Sequence, residues 1–238
     1  MKTALTLLSS LLLFACASPG TSSEAKRAQP APLAPTGSGE DYVFVWLKTG
    51  PANDLDQAEL QAAFAGHFAN MARLAQEGFL LMAGPVGDPK SNPLHRGIFL
   101  FDVDRVSKAQ ELTATDPSVQ AGVFAFEALP FRTGQPLRRL LELDRQAGAG
   151  EANMRSYVLA TAVDPAFAEQ SLLPFASEGL VALSGRIGKP GQERGLYVLA
   201  LESVQEAREL LELIEPSERL EWQLSSLYGS KSLLALGE

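Results

Sequence analysis

Cysteine is nearly absent: Cys16 is the only one among 238 residues. One cysteine closes no intramolecular disulfide and builds no multi-cysteine metal site. Histidine is almost as scarce, with His67 and His95 alone. Neither falls into a metal-ligand spacing with nearby carboxylates, so no metal is expected. Positive charge is also short. The 20 Lys and Arg stand against 28 Asp and Glu, for a net charge of −8. The absence of a basic cluster argues against nucleic acid and against polybasic membrane binding. There is no phosphate-cradling glycine loop and no G-x-S-x-G elbow. No apolar run reaches the roughly 20 residues that span a bilayer as a helix. A domain without disulfides must rest on an apolar core, and the chain is long enough to build one.

What is present begins at the N-terminus. Lys2 precedes Ala4–Ala15, which is apolar apart from Thr6, Ser9 and Ser10. That is the length and polarity of a signal peptide, too short to cross a bilayer. Leu13-Phe14-Ala15-Cys16 resembles a lipobox, which implies removal of residues 1–15 and lipidation of Cys16. A plain secretory signal with a chance cysteine is the alternative. Several acyl chains on one cysteine would hold the protein stably at a membrane. Ala17, rather than Asp, follows the cysteine, so by resemblance to the retention rule the expected address is the outer membrane, facing the periplasm. Nucleotide cofactors are scarce there, and none is expected. Residues 16–40 are rich in Pro, Ala, Ser and Gly and read as an unfolded tether.

The remainder contains an internal repeat. Gly78-Phe-Leu-Leu-Met-Ala-Gly84 recurs as Gly179-Leu-Val-Ala-Leu-Ser-Gly185, Arg96-Gly-Ile-Phe-Leu-Phe101 as Arg194-Gly-Leu-Tyr-Val-Leu199, and Val106–Leu112 as Val204–Leu210. Three collinear matches point to a tandem duplication with residues 41–135 and 154–238 as the copies. Residues 136–153 connect them through a helix at Arg138–Gln146. Strands are expected at Tyr42–Lys48, Phe79–Ala83, Gly97–Val103 and Gly122–Phe131, with helices at Ala58–Gln76 and Val106–Thr115. The order is βαββαβ, a ferredoxin-like α+β arrangement with helices on one face of a sheet. The second copy should repeat it, although Leu224–Leu236 holds too much Ser and Gly to read cleanly as a strand. Each bare sheet face needs cover, so the halves are expected to pack sheet to sheet as an intramolecular pseudo-dimer.

His67 is the leading site candidate. Leu60, Phe64, His67, Met71 and Leu74 follow helical spacing on one buried stripe, and the matching position of the second half is Ala168. The stripe persists in both copies while the imidazole occurs in one, so folding the helix does not require it. A core histidine satisfied by a backbone carbonyl is the plainer reading. Asp116 is its candidate partner, although Asp before Pro117 is also a common helix cap. Half two carries Glu215-Pro216 near this place. Arg96 could hold a substrate carboxylate, or could be structural, since Arg194 recurs in the copy without the histidine. Glu127 could face a cavity or be a strand-end surface charge.

His67–Gly78, Ala83-Gly84-Pro85, Asp116–Val123 and Leu129-Pro130-Phe131 together resemble the YCII-related domain family over about Asp41–Arg132. The second half resembles a degenerate copy. The resemblance implies a ferredoxin-like fold paired into an α+β barrel, and a His and an Asp as catalytic residues that fall on His67 and Asp116. Asp116 would orient the imidazole and stabilise its protonated form, so that His67 could move a proton on a small organic molecule without a cofactor. An isomerase or lyase reaction would fit. The competing expectation is a non-catalytic lipoprotein that binds a small ligand or serves as a scaffold.

Overall fold

A computed structural model describes residues 40–87, 92–148, 150–214 and 221–237. Cys16, the expected signal segment, the expected tether up to residue 39 and the Glu215-Pro216 pair lie outside the described residues. The first half runs β1 (Glu40–Thr49), α1 (Gln57–Gln76), β2 (Leu80–Pro85), β3 (His95–Phe101), α2 (Val106–Ala114), α3 (Pro117–Gln120) and β4 (Phe124–Thr133). A helix α4 (Arg139–Ala147) leads to β5 (Met154–Ala162), α5 (Pro165–Ser177), β6 (Val181–Ile187), β7 (Arg194–Leu199), α6 (Val204–Ile214) and β8 (Trp222–Ser230). Among the described residues the two halves have the same element order, apart from the short α3. β8 is a regular strand despite its Ser and Gly, because nine residues pair with β5 from Met154↔Ser230 to Ala162↔Trp222. Pairing and lumen packing override the local propensity there. A 3-10 turn, Lys231–Gly237, follows it.

The eight strands of the described residues belong to one antiparallel sheet in the order β2-β3-β1-β4-β6-β7-β5-β8. The halves therefore meet edge to edge as well as face to face. One seam is β4 against β6, through Phe131↔Ile187 and Arg132↔Arg186. The other is β2 against β8, where Val86 bridges Leu227 and Gly87 N donates to Ser226 O at 3.0 Å. With both seams made, the sheet curls into a nearly closed barrel, and the helices lie outside it.

Two repeated glycines explain why the seams can close. A Cβ on Gly84 would sit 2.3 Å from Tyr228 O, and one on Gly185 would sit 2.5 Å from Arg132 O. Any side chain at either place would push the two halves apart. Their partners in the repeat, Gly78 and Gly179, have φ of +83° and +77° just past the helix ends. Only glycine adopts that conformation at little cost.

Alternation along the strands separates three cores. Tyr42, Phe44, Trp46, Ile98, Leu100, Phe131, Tyr157, Leu159, Leu196 and Val198 fill the barrel lumen. Leu137 and Leu140 around α4, with Leu233 and Leu236 of the final turn, join that cluster and plug one end. The opposite strand faces, Val43, Val45, Phe99 and Phe101 in half one and Val158, Ala160, Tyr197 and Leu199 in half two, pack under the helices.

Candidate functional site

His67 and Asp116 meet in a buried position between α1 and the α2–α3 corner. His67 Nδ1 lies 2.6 Å from Asp116 Oδ2. The histidine is 7% exposed and the aspartate fully buried. The same carboxylate also caps α3, since its Oδ1 accepts from Ser118 N at 2.8 Å. Capping and pairing with histidine are thus not alternatives: each uses a different oxygen. Pro117 occupies the first helical position, where its missing N–H costs nothing.

The corner is pinned to α1 at several points. Ser118 Oγ donates to Ala63 O at 3.0 Å. Gly66 lets Pro117 approach so closely that a Cβ would sit 2.7 Å from the proline ring. One turn along, Arg73 Nη2 donates to Asn70 Oδ1 at 2.8 Å and to Thr115 Oγ1 at 3.1 Å. Glu77 holds the other side of that guanidinium. Asp116 is therefore fixed from its neighbour Thr115 as well as from its own cap.

Around the imidazole stand four phenyl rings. Phe124 and Phe68 approach edge-on at centroid distances of 5.4 and 5.5 Å, and Phe99 lies nearly parallel beneath it at 5.7 Å. Phe64 completes the ring at 6.5 Å. Phe68 is 62% exposed and so marks the solvent side. Nδ1 is committed to the carboxylate, and Nε2 makes no hydrogen bond to the described residues. In such an apolar box a hydrogen-bonded carboxylate fixes the orientation of the imidazole ring.

The buried face of α1 comprises Ala63, His67, Asn70 and Leu74 rather than the full expected stripe. Leu60 is exposed and Met71 only half-buried. Asn70 was missed because a polar residue reads as solvent-facing. The available signal was its placement three residues after His67, on the same side of the helix. Its Nδ2 is buried and makes no hydrogen bond.

Arg96 is not brought to this pair. It is exposed, at the irregularity where Leu47 pairs with Gly97 but Lys48 with His95. No hydrogen bond or ion pair links it to His67 or Asp116 among the described residues. Glu127 is exposed and pairs with Lys48 at 2.5 Å, beside the lumen residue Trp46. No group of three or more His, Cys, Asp or Glu gathers as a metal centre would need, among the described residues. None of their helices is long and apolar enough to cross a membrane.

In half two the matching place is filled differently. Ala168 stands for His67 and Tyr197 for Phe99, with Tyr197 and Trp222 in edge contact at 5.8 Å. The Tyr197 hydroxyl donates to Pro165 O at 3.2 Å. Burial, and then the nearby Glu169 carboxylate, push its ionisation far above the usual phenol range.

No curated protein matches the chain in sequence. Among solved structures, an encapsulated DyP-type peroxidase from Mycobacterium smegmatis is 9% identical with a TM-score of 0.45, covering 89% of this chain and 98% of its own. A Rhodococcus jostii DypB variant in complex with heme is 12% identical with a TM-score of 0.47, covering 88% of this chain and 100% of its own. Neither likeness transfers a function. The family comparison is more specific, for the YCII-related domain matches residues 42–131, the span that contains His67, Asp116 and all four phenyl rings. Over residues 42–131 the chain is similar to the YCII-related domain family.

Proposed function

We propose that the protein is a membrane-anchored enzyme that uses His67 and Asp116 to move a proton on a small, largely apolar organic molecule, without a cofactor. The observation that carries this reading is the buried 2.6 Å contact between His67 Nδ1 and Asp116 Oδ2, inside a phenyl box with an exposed Phe68 at its edge. His67 Nε2 takes a proton from a carbon beside a carbonyl, and the electron pair of that C–H bond moves into an enolate. The imidazolium that results keeps its Nδ1–H on Asp116. Return of the Nε2 proton to a different atom of the enolate gives an isomer and restores the neutral imidazole. Positioned acid–base groups of this kind contribute about 10²–10⁴-fold in rate.

The test is exchange of carbon-bound hydrogen in D2O, followed by NMR over a panel of small ketones and lactones with the full-length chain. The wild type should exchange one class of them, and His67→Ala should lose about 100-fold or more of the rate. Equal rates for the two proteins would sink the proposal and leave a ligand-binding role. Lipidation of Cys16 is part of the same reading, supported by Lys2, the apolar Ala4–Ala15 and Leu13-Phe14-Ala15-Cys16. Mass spectrometry of the protein from membranes should find Cys16 as the acylated N-terminus, and Cys16→Ser should release the chain from the envelope. An unmodified Cys16 would refute the anchor.

A further inference from the structure

The barrel lumen has two unlike ends. One is plugged by Leu137, Leu140, Leu233 and Leu236. The other, at the C-terminal ends of β1 and β5, carries polar side chains that the proton-transfer site does not use. Arg194 lies at that end of β7. It pairs with Ile187 and alternates with Leu196 and Val198, all three of them lumen residues, so it shares the lumen face. Its Nε and Nη2 are buried and make no hydrogen bond. These two donors form one edge of the guanidinium fork, the edge that grips a carboxylate with two parallel bonds. The chain itself contains such a grip, since Arg138 holds Asp102 through Nε at 2.7 Å and Nη2 at 2.8 Å. No acidic side chain does the same for Arg194 among the described residues. Buried polar groups normally have partners, and a charged one without them needs an explanation.

The opposite wall supplies a surface for the rest of a ligand. In the strand order, β3 lies four strands from β7 whichever way one goes round the barrel, so His95 faces the Arg194 side across the lumen. The His95 ring stacks on Trp46 with centroids 4.0 Å apart and planes 9° apart. Beside the stack, Glu127 is already paired with Lys48 and so does not present an unbalanced negative charge. Thr161, the lumen-face residue of β5 opposite Leu196, adds a hydroxyl at the same end, 3.5 Å from Gln223 Oε1. An eight-stranded lumen accommodates side chains or one small ligand, not more.

We infer that this end of the barrel is a binding site for a small carboxylic acid with a planar apolar body. The carboxylate lies on the Nε–Nη2 edge of Arg194 and the body lies against the Trp46–His95 stack. This site is separate from His67 and Asp116, which sit outside the barrel beneath α1. It also assigns a task to the arginine of the second half, whereas Arg96 at the matching position is exposed.

Calorimetric titration of the full-length chain with benzoate, and with the uncharged benzamide, tests it. Benzoate is expected to bind at least tenfold more tightly than benzamide. Arg194→Gln should abolish that preference, while His67→Ala leaves it intact. Absence of benzoate binding, or equal binding of the two compounds by the wild type, overturns the inference whether or not the arginine variant folds. A preference that survives Arg194→Gln in a folded protein overturns it as well. Loss of the preference in His67→Ala would move the site to the helix side and likewise refute it.

Discussion

The hydroxyl of Tyr197 donates to the carbonyl oxygen of Pro165, bridging sheet and helix of half two at the place where half one holds its histidine. Phe99 lies beneath the His67 ring, and Tyr197 is the residue at the matching strand position, paired with Ala160 as Phe99 is with Val45. In one half the space above the strand residue holds an imidazole and its carboxylate. In the other, alanine leaves room and the strand residue extends its own polar atom to the start of α5.

Tyr197→Phe should therefore act on stability and not on chemistry. Removing the hydroxyl deletes one buried hydrogen bond and leaves Pro165 O without it, a loss of about 0.5–1.5 kcal/mol in denaturant unfolding. Any turnover that depends on His67 should be unchanged. A variant that loses turnover while keeping its stability would show that half two takes part in the reaction.

Much of this arrangement was legible in the sequence, for reasons that particular residues make plain. The repeated glycines at 78 and 84 and at 179 and 185 mark backbone demands that no other residue meets, so the two segments match there even where the side chains around them differ. His67 stood out because the second half supplies its own comparison at Ala168. Asn70 and the buried turn of α1 around it did not stand out, because its burial depends on Arg73 and Thr115, which come from elsewhere in the helix and from across the fold. β8 was obscured by the opposite effect, since a serine-rich strand is held by its β5 partner and the lumen. The placement of Arg194 depends on strand order around a closed sheet, which no local pattern encodes.

Gly66 offers a sharper probe of the site. Alanine is normally about 1 kcal/mol better than glycine inside a helix. Here the added methyl would meet the Pro117 ring at 2.7 Å, and the rigid ring cannot swing away. Overpacking of this kind costs about 1–3 kcal/mol, so Gly66→Ala should destabilise the protein on balance. Pushing Pro117 off α1 also moves Asp116, so NMR of the His67 ring nitrogens should report a weakened Nδ1–H bond to the carboxylate. A more stable variant with an unchanged His67 spectrum would contradict the packing described here.

Stability should fall toward both acid and alkaline pH, for different residues. Burial first, and then Lys48, lower the His95 pKa below its ordinary 6.5, with Glu127 opposing. The unfolded chain then binds a proton more readily than the folded one, so this contribution is present above about 6.5 and is lost as pH falls through the lowered folded value. His95→Gln should flatten that part of the melting-temperature profile. At the other end, burial raises Tyr157 from 10.0 to about 12, and its hydroxyl donates to Ser230 O at 2.8 Å. The folded state holds that proton longer, so stability is full below about 10 and is lost as pH rises toward the folded value. Tyr157→Phe should remove the alkaline decline attributable to this group, and phenolate absorbance in the wild type should rise with unfolding rather than before it.

The barrel makes its own prediction about half one in isolation. A fragment of residues 41–133 would expose Tyr42, Phe44, Trp46, Ile98, Leu100 and Phe131, all of them lumen residues in the whole chain. It would also leave two strand edges unpaired, β4 where β6 now lies and β2 where β8 now lies. An apolar sheet face with free edges drives association, and a second copy presents both the face and the complementary edges. The fragment should therefore run as a dimer in size-exclusion chromatography with light scattering, its β4 set against the partner's β2. That dimer would place Gly84 at both seams, where the whole chain uses Gly84 at one and Gly185 at the other. Since a Cβ on Gly84 meets backbone oxygen at 2.3 Å, Gly84→Val should disturb the fragment's dimer at two seams and the whole chain at only one. A fragment that stays monomeric and well folded, or a dimer indifferent to Gly84→Val, would mean that the halves are not held together by the lumen and seams seen in the intact protein.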